Sequence, residues 1–133
     1  MRLTTKSEYS ILALIYIARH EDKGFVKIED ISSGYGIPHK YLEHLLLALK
    51  QSRFLKARRG AAGGYVLAAP PQKIRIADVI RLMDGALAPT ESVSTYFFSH
   101  TPLEKEKKIM SVFKEIRDYI SKRLENLRLS DLM

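Results

Sequence analysis

Arg58 and Arg59 lead directly into Gly60-Ala61-Ala62-Gly63-Gly64, and Tyr65-Val66-Leu67 continues as a strand-like run. Two guanidinium groups at the base of a glycine-rich turn suit a polyanion, by phosphate contact or by entry into a minor groove. The glycines supply the backbone freedom that a tight hairpin tip needs. A phosphate-cradling nucleotide loop is excluded, because no Gly-Lys-Ser/Thr closes the run and a strand rather than a helix follows it. An ordinary β-hairpin in a basic protein is the plain alternative.

A second group of polar side chains precedes this turn: His39, Lys40, Tyr41, Glu43, His44 and Lys50, with Arg53 beyond them. Lys40, Lys50 and Arg53 suit phosphate contacts that set register on a duplex. Glu43 can accept from a cytosine amino group, and His39 or His44 can donate to a purine edge. Tyr41 has two readings, a hydroxyl that reaches phosphate or a ring that packs inward. His39 and His44 are separated by about 140° around a helix, so they do not form the i, i+4 pair of a zinc-binding helix. Four scattered histidines and no cysteine leave no nucleophile with a base, no metal triad and no thiolate site. An enzyme is therefore not expected, and neither is a cofactor.

The elements that position these groups follow from the pattern of apolar residues. Thr5-Lys6-Ser7-Glu8 has the form of a capping box, and the stretch Tyr9 to Ala18 is apolar almost all round, which predicts a buried first helix. Ile28 and Ile31 mark a short second helix stopped at Ser33-Gly34-Tyr35-Gly36. Pro38 opens a third helix, and Leu42, Leu45, Leu46 and Leu49 follow at the spacing of one buried face. His39, Lys40, Glu43, His44, Leu47, Lys50 and Gln51 then lie on the opposite side. A short helix, a glycine turn and a second amphipathic helix with a polar outer face are the helix-turn-helix arrangement, whose second helix enters the major groove. Taken alone, such a face is equally consistent with an ordinary solvated helix. The wing that follows within a few residues favours DNA.

Charge supports that choice. The net charge is +7, and residues 1–75 carry 13 Lys/Arg against 6 Asp/Glu, whereas residues 76–133 carry 9 of each. No acid stands between Glu43 and Asp78, an interval holding seven Lys and Arg residues. A polyanion partner, double-stranded DNA, is the natural expectation. A membrane patch fits less well, since these cations do not share one face of an amphipathic helix. No apolar run approaches the roughly 18 residues of a membrane helix, and no basic start precedes an apolar stretch. The expectation is a soluble cytoplasmic protein.

Pro70-Pro71 ends the strand, Lys73-Ile74-Arg75-Ile76 forms a second short run, and Asp78 to Asp84 predicts a small helix stopped by Gly85. Leu87 to His100 lacks periodicity and is expected to be a linker. Thr101-Pro102-Leu103-Glu104 then supplies the start of a long final helix running to about Leu127. That helix carries Ile109, Phe113, Ile116, Ile120 and Leu127 in broken 3-4 spacing, with Arg123 in one seam position. Val112, Tyr119 and Leu124 form a second stripe. This is more apolar surface than one neighbouring face needs. The expected partner is a second copy, joined through Ile109, Phe113, Ile116, Ile120, Leu124 and Leu127. Folding back on its own domain is the alternative.

These residues also resemble a known family. Leu3-Thr4-Thr5-Lys6 with Tyr9, Tyr41-Leu42-Glu43 with Leu45-Leu46, Arg59-Gly60-Ala61 with Gly63-Gly64-Tyr65 and Leu67, and Leu87-Ala88-Pro89 are similar to signature blocks of the Rrf-two family of bacterial transcription regulators. Leu129-Ser130-Asp131-Leu132 matches as well. The resemblance implies a homodimeric winged-helix repressor or activator with long C-terminal helices crossing at the interface. It places DNA contacts on His39, Lys40, Tyr41, Glu43, His44, Arg59, Gly60, Thr4 and Lys6. Many members hold an iron–sulfur cluster through three cysteines after the Ala-Pro pair. This chain has none; Ser92 stands about where the first would be, so the expected branch is cysteine-free. Glu8 and His100 resemble auxiliary ligand types but are expected to be cap or surface residues. The signal is left to a protein or small-molecule effector, for which Tyr96-Phe97-Phe98 is a candidate docking patch or pocket; packing of these aromatics against the long helix is the plainer reading.

The expected fold is thus mainly α with a small β-hairpin. Residues 1–85 form a winged helix-turn-helix DNA-binding domain, 86–101 a linker, and 102–133 a dimerisation helix and tail. The expected function is a sequence-specific transcriptional regulator, in the form of a repressor, that binds a palindromic operator as a homodimer. Expected contacts are Thr4, Lys6, His39, Lys40, Tyr41, Glu43, His44, Lys50, Arg58, Arg59 and Gly60. The alternatives are a sequence-neutral nucleoid-type protein and an interaction module with a degenerate DNA-binding domain.

Overall fold

The computed structural model describes residues 1–133. Helix α1 (Thr5–His20) runs through the middle of the N-terminal part, burying Ala13, Leu14, Ile17 and Ala18. It has to be central, because its sequence offers apolar side chains on nearly every face. Its N-cap is Thr4 rather than Thr5: the Thr4 hydroxyl accepts from the Lys6 N–H at 3.2 Å. The shift has a long-range cause, since Asp84 accepts hydrogen bonds from both the Thr4 N–H and the Thr4 hydroxyl.

Helices α2 (Ile28–Tyr35) and α3 (His39–Gln51) form the helix-turn-helix. Gly36 closes α2 in the left-handed conformation, at φ 66°. The turn is locked reciprocally, with the Ile37 N–H donating to the Ser32 carbonyl at 3.1 Å and the Ser32 hydroxyl donating to the Ile37 carbonyl at 2.6 Å. Pro38 is the residue before α3, extended at ψ 126°, so it sets the entry to the helix without joining it. Leu42, Leu46 and Leu49 sink into one core with Leu14, Ile17, Ile31, Leu55, Leu67 and Leu129. Truncating Leu46 there is expected to cost on the order of 2–5 kcal/mol.

Strands β1 (Leu55–Arg58) and β2 (Gly64–Leu67) pair antiparallel, with Leu55 opposite Leu67 and Arg58 opposite Gly64. Val26 adds a single bridge to Tyr65 on the other edge. The run Lys73 to Ile76 is not a strand. Ile76 donates to the Leu127 carbonyl and Leu129 donates to the Ile74 carbonyl, so its partner is the C-terminal tail, across one bridge only. Helix α4 (Ile76–Asp84) accordingly begins two residues earlier than its acidic cap suggests.

Between α4 and the last helix, Leu87, Ala88, Ser92, Val93 and Ser94 are buried. The expected long final helix is divided. Pro102–Lys105 make a 3-10 turn, Glu106 leaves helical geometry at ψ 94°, and α5 spans Lys107–Glu125. Thr101 is held at this junction by donating its hydroxyl to Ser92 at 2.9 Å. Both ends of α5 are tied to the same chain, through Met110 against Ala88 and Val93 and through Leu129 in the main core.

Candidate nucleic-acid interface

The outer face of α3 is fully presented. His39, Lys40, Glu43, His44, Lys50 and Gln51 are all exposed, and Leu47 stands among them at 48% exposure. An exposed leucine in the middle of a polar face is unusual for a solvated helix and suits contact with a thymine methyl group. Tyr41 follows the inward-packing reading. Its ring packs edge-on to Tyr9 at 5.7 Å, while its hydroxyl lies 3.0 Å from the Thr5 hydroxyl at the rim of the same face.

The wing stands beside α3, and its glycines are required by contact as well as by turn geometry. A Cβ on Gly63 would come within 2.0 Å of the Arg58 carbonyl oxygen, and one on Gly64, at φ 145°, within 2.4 Å of the Val26 carbonyl oxygen. Those approaches let Tyr65 exchange two backbone hydrogen bonds with Val26, at 2.8 and 2.9 Å. Arg58, Arg59 and Gly60 are exposed at the tip, and the Arg58 guanidinium lies 5.7 Å from the Phe25 ring centre. Burial pushes the Tyr65 hydroxyl above its usual range, and the Glu43 carboxylate adds to the shift. Glu43 of α3 thus lies near enough to the wing residue Tyr65 to act on it.

That surface is largely without internal neutralisation. Within the acid-free interval only Arg75 forms an ion pair, with Asp78 at 2.9 Å, while Lys50, Arg53, Lys56, Arg58, Arg59 and Lys73 have none. The Arg75 guanidinium is held charged above its ordinary range, first by its hydrogen bonds to Asp78. Cations without an acidic partner have no ion pair to break, so they are available to displace counterions from phosphates. His39 has a weak tether, 3.9 Å from Glu29.

Two features escaped sequence reasoning. Lys27 borders an open groove of about 470 Å³ between the wing glycines and the start of α2, where Gly60, Ala61 and Tyr65 form the facing wall. Its only signal in the sequence was its position just ahead of a helix. Arg53 turns the chain from α3 into β1 in the left-handed region, at φ 65°, a conformation that glycine usually supplies. Among the expected contacts, Thr4 differs from the rest: its N–H and hydroxyl are committed to Asp84, at 2.9 and 2.6 Å. Lys6 next to it is exposed.

The apolar residues of α5, with Leu127 just beyond its end, divide between two destinations. Ile120, Leu124 and Leu127 pack against Ile76, Ala77, Ile80 and Leu87, and Phe113 packs against Ala88, Val93 and Met110. The exposed stripe is instead Val112 at 46%, Ile116 at 40% and Tyr119 at 71%, with Ile109 partly exposed above it. Spaced 109, 112, 116, 119, these residues follow a regular 3-4-3 pattern. Met1, Leu3 and Pro89 extend the apolar surface beside Ile116.

Comparison with known proteins decides the assignment: residues 3–133 match the model of the Rrf2 family, described as iron-dependent transcriptional regulators. The chain belongs to this family. It is 30% identical over 132 residues to the HTH-type transcriptional regulator CymR of Bacillus subtilis (strain 168), covering 99% of this chain and 89% of CymR. The solved structure of CymR, the global cysteine regulator of B. subtilis, superposes with a TM-score of 0.80 at 28% identity, over 99% of this chain and 95% of that one. A relative named as an HTH-type regulator in Mycobacterium tuberculosis (strain ATCC 25618 / H37Rv), Rv1287, is 38% identical over 93 residues. That match takes in 70% of this chain, and it spans 58% of the mycobacterial protein. The Rrf2 winged-helix fold follows for this chain, and the relatives it matches are named as HTH-type transcriptional regulators.

The donor set of this Rrf2 protein does not fit iron. There is no cysteine, and no three His, Asp or Glu side chains converge on a point. Ser92, at the position that the resemblance gives to the first cysteine, is buried; it donates to the Met110 sulfur at 3.6 Å and accepts from Thr101. A hydroxyl tied into that packing is no substitute for a thiolate. His100 is exposed and bonds only to Glu104, at 3.0 Å, and Glu8 is an exposed residue of the first turn of α1. No helix is long and apolar enough to cross a membrane.

Proposed function

We propose that this Rrf2 protein is a repressor that binds a palindromic operator as a homodimer in the cytoplasm. In each subunit α3 enters the major groove and the wing lies along the flanking backbone. The observation that carries the reading is the single exposed surface formed by the outer face of α3 and the wing tip, whose cations lack acidic partners. His39, Glu43 and His44 take base edges. Lys6, Lys40, Lys50, Arg58 and Arg59, with the Gly60 backbone, take phosphates. Tyr41 borders both groups, and Thr4 sets the entry to α1.

A second copy joins through the stripe Ile109, Val112, Ile116 and Tyr119. This stripe supports dimerisation better than Phe113, Ile120, Leu124 and Leu127, which already have partners in their own subunit. Two copies place two α3 helices on one face of a duplex, which is what a two-fold operator requires. With a donor set unsuited to iron, the regulating signal is a protein or small-molecule effector.

The reading is tested by competition binding of the wild type, Arg59→Ala and Glu43→Ala on a panel of duplexes. Arg59→Ala is expected to weaken binding to every duplex, and Glu43→Ala to reduce discrimination at one base pair by about 1–3 kcal/mol. Equal affinity of all three proteins for all duplexes would mean that this face does not read DNA, and it would favour the sequence-neutral alternative.

A further inference from the structure

The first turn of α1 makes polar contacts on two sides, beside the core that Val79 of α4 shares with Leu42 and Leu46 of α3. On one side, the Asp84 carboxylate at the end of α4 accepts from the Thr4 N–H at 2.9 Å, the Thr4 hydroxyl at 2.6 Å and the fully buried Ser7 hydroxyl at 2.6 Å. On the other side, the Thr5 hydroxyl stands 3.0 Å from the Tyr41 hydroxyl, and the Tyr9 ring packs edge-on to that of Tyr41. Thr5 and Tyr9 are i, i+4 on α1 and so share a face, while Thr4 and Ser7 turn the other way. Asp84 itself sits where α4 ends and the chain departs towards α5. Its helix is clasped to α5 by Arg81 and Glu125 at 2.8 Å and by Ile120, Leu124 and Leu127 against Ile76 and Ile80.

We infer that Asp84 is a positioning residue for the recognition helix: by fixing Thr4 and Ser7 it holds the first turn of α1, and through Thr5 and Tyr9 that turn sets the position of Tyr41 on α3. Asp84 does not touch DNA. It makes the geometry of α3 depend on the end of α4, and so on whatever displaces α5. The inference rests on the proposal that the α3 face reads DNA. It adds a residue that neither sequence spacing nor the phosphate-contact pattern selects.

The chemistry gives a sign by which this role is told from simple electrostatics. Burial raises the Asp84 carboxyl, but the hydrogen bonds from Ser7 and Thr4, with the nearby charge of Lys6, hold it ionised. Removing a negative charge beside a DNA-facing lysine should tighten binding to every duplex. Removing a positioning residue should instead weaken binding to the preferred duplex alone.

The experiment uses full-length protein and a duplex enriched by the wild type from a randomised pool, with an unrelated duplex as reference. Asp84→Asn keeps the side-chain volume and is expected to lower affinity for the enriched duplex about tenfold while leaving the reference duplex unchanged or bound more tightly. Thr5→Val, which removes only the hydroxyl facing Tyr41, is expected to have a smaller effect in the same direction. In the Thr5→Val background Asp84→Asn should cost less than about threefold, because contacts in one network are not additive. Thermal unfolding followed by circular dichroism identifies any loss of folded protein, and Thr5→Val still tests the α1–Tyr41 link if Asp84→Asn folds poorly. An unchanged ratio between the two duplexes in both variants, or strictly additive losses, overturns the inference while DNA reading stands. Failure of the wild type to enrich any duplex removes the reading and the inference together.

Discussion

The outer faces of α3 and α5 are both exposed, but they expose opposite things. On α3 and the wing the exposed side chains are mainly cations and hydrogen-bonding groups, with Leu47 among them, and the other leucines of α3 are inside. On α5 the exposed stripe is Val112, Ile116 and Tyr119 with the partly exposed Ile109, whereas Phe113, Ile120 and Leu124 are already packed on the same chain. The first surface gains by meeting phosphate and base edges, where release of counterions supplies much of the affinity. The second gains only by excluding water against another apolar surface. On the proposed two-fold operator a single copy would read only half of the site, so the second surface would determine how selective the first becomes.

The comparison is broken most severely by removing the frame of the wing. Gly64→Ala places a Cβ against the Val26 carbonyl oxygen at a φ that other residues rarely adopt. It is expected to cost on the order of 3 kcal/mol or more in thermal unfolding. A variant with unchanged stability would mean that β2 is not docked on Val26.

A charge on the apolar stripe should separate the two faces. Ile116→Glu is expected to shift sedimentation from dimer to monomer. Affinity for a symmetric duplex should then fall by about 100-fold, through loss of the second linked contact, with little change in thermal stability. Dimers that survive this change would move the interface off the stripe.

A smaller effect refines the basic surface. Lys27→Ala should weaken binding to all duplexes severalfold and reduce the slope of log affinity against log salt by about one. No change in slope would place the groove between wing and α2 outside the interface.

The smallest effect concerns Asp84. Burial raises its carboxyl, but hydrogen bonds from Ser7 and Thr4 and the charge of Lys6 outweigh burial and hold it below its ordinary value. Its stabilisation is therefore present above the unfolded value of about 3.9 and is lost as pH falls below that through the lower folded value. The difference in melting temperature between the wild type and Asp84→Asn should be constant from pH 8 down to about 5 and should shrink below about 4.

What was legible in the sequence was local. The leucines of α3 recur at helical spacing, so their burial and the exposure of His39, Lys40, Glu43 and His44 followed from geometry alone. The glycines of the wing announced a turn, though not the close approach of Val26 that makes Gly64 irreplaceable. What was hidden was contact between distant positions. Asp84 and Thr4 are 80 residues apart, and their pairing moved the N-cap of α1 by one residue. Helix α5 shows the same limit from another side. Its apolar stripes were visible, but periodicity names faces and does not say which neighbour covers each one. Ile120, Leu124 and Leu127 turned inward because α4 and Leu87 were there to receive them.

The absence of cysteine permits one measurement that bears on both surfaces together. A single cysteine introduced by His44→Cys or by Tyr119→Cys can carry a DNA-cleaving reagent on an otherwise unreactive chain. With the reagent at position 44, cleavage of a wild-type-enriched duplex is predicted in two symmetric clusters about one helical turn, roughly 10 base pairs, apart. With the reagent at position 119, none is predicted. Uniform cleavage from position 44, or site-specific cleavage from position 119, would contradict the assignment of α3 as the surface that reads DNA and α5 as the surface that joins two copies.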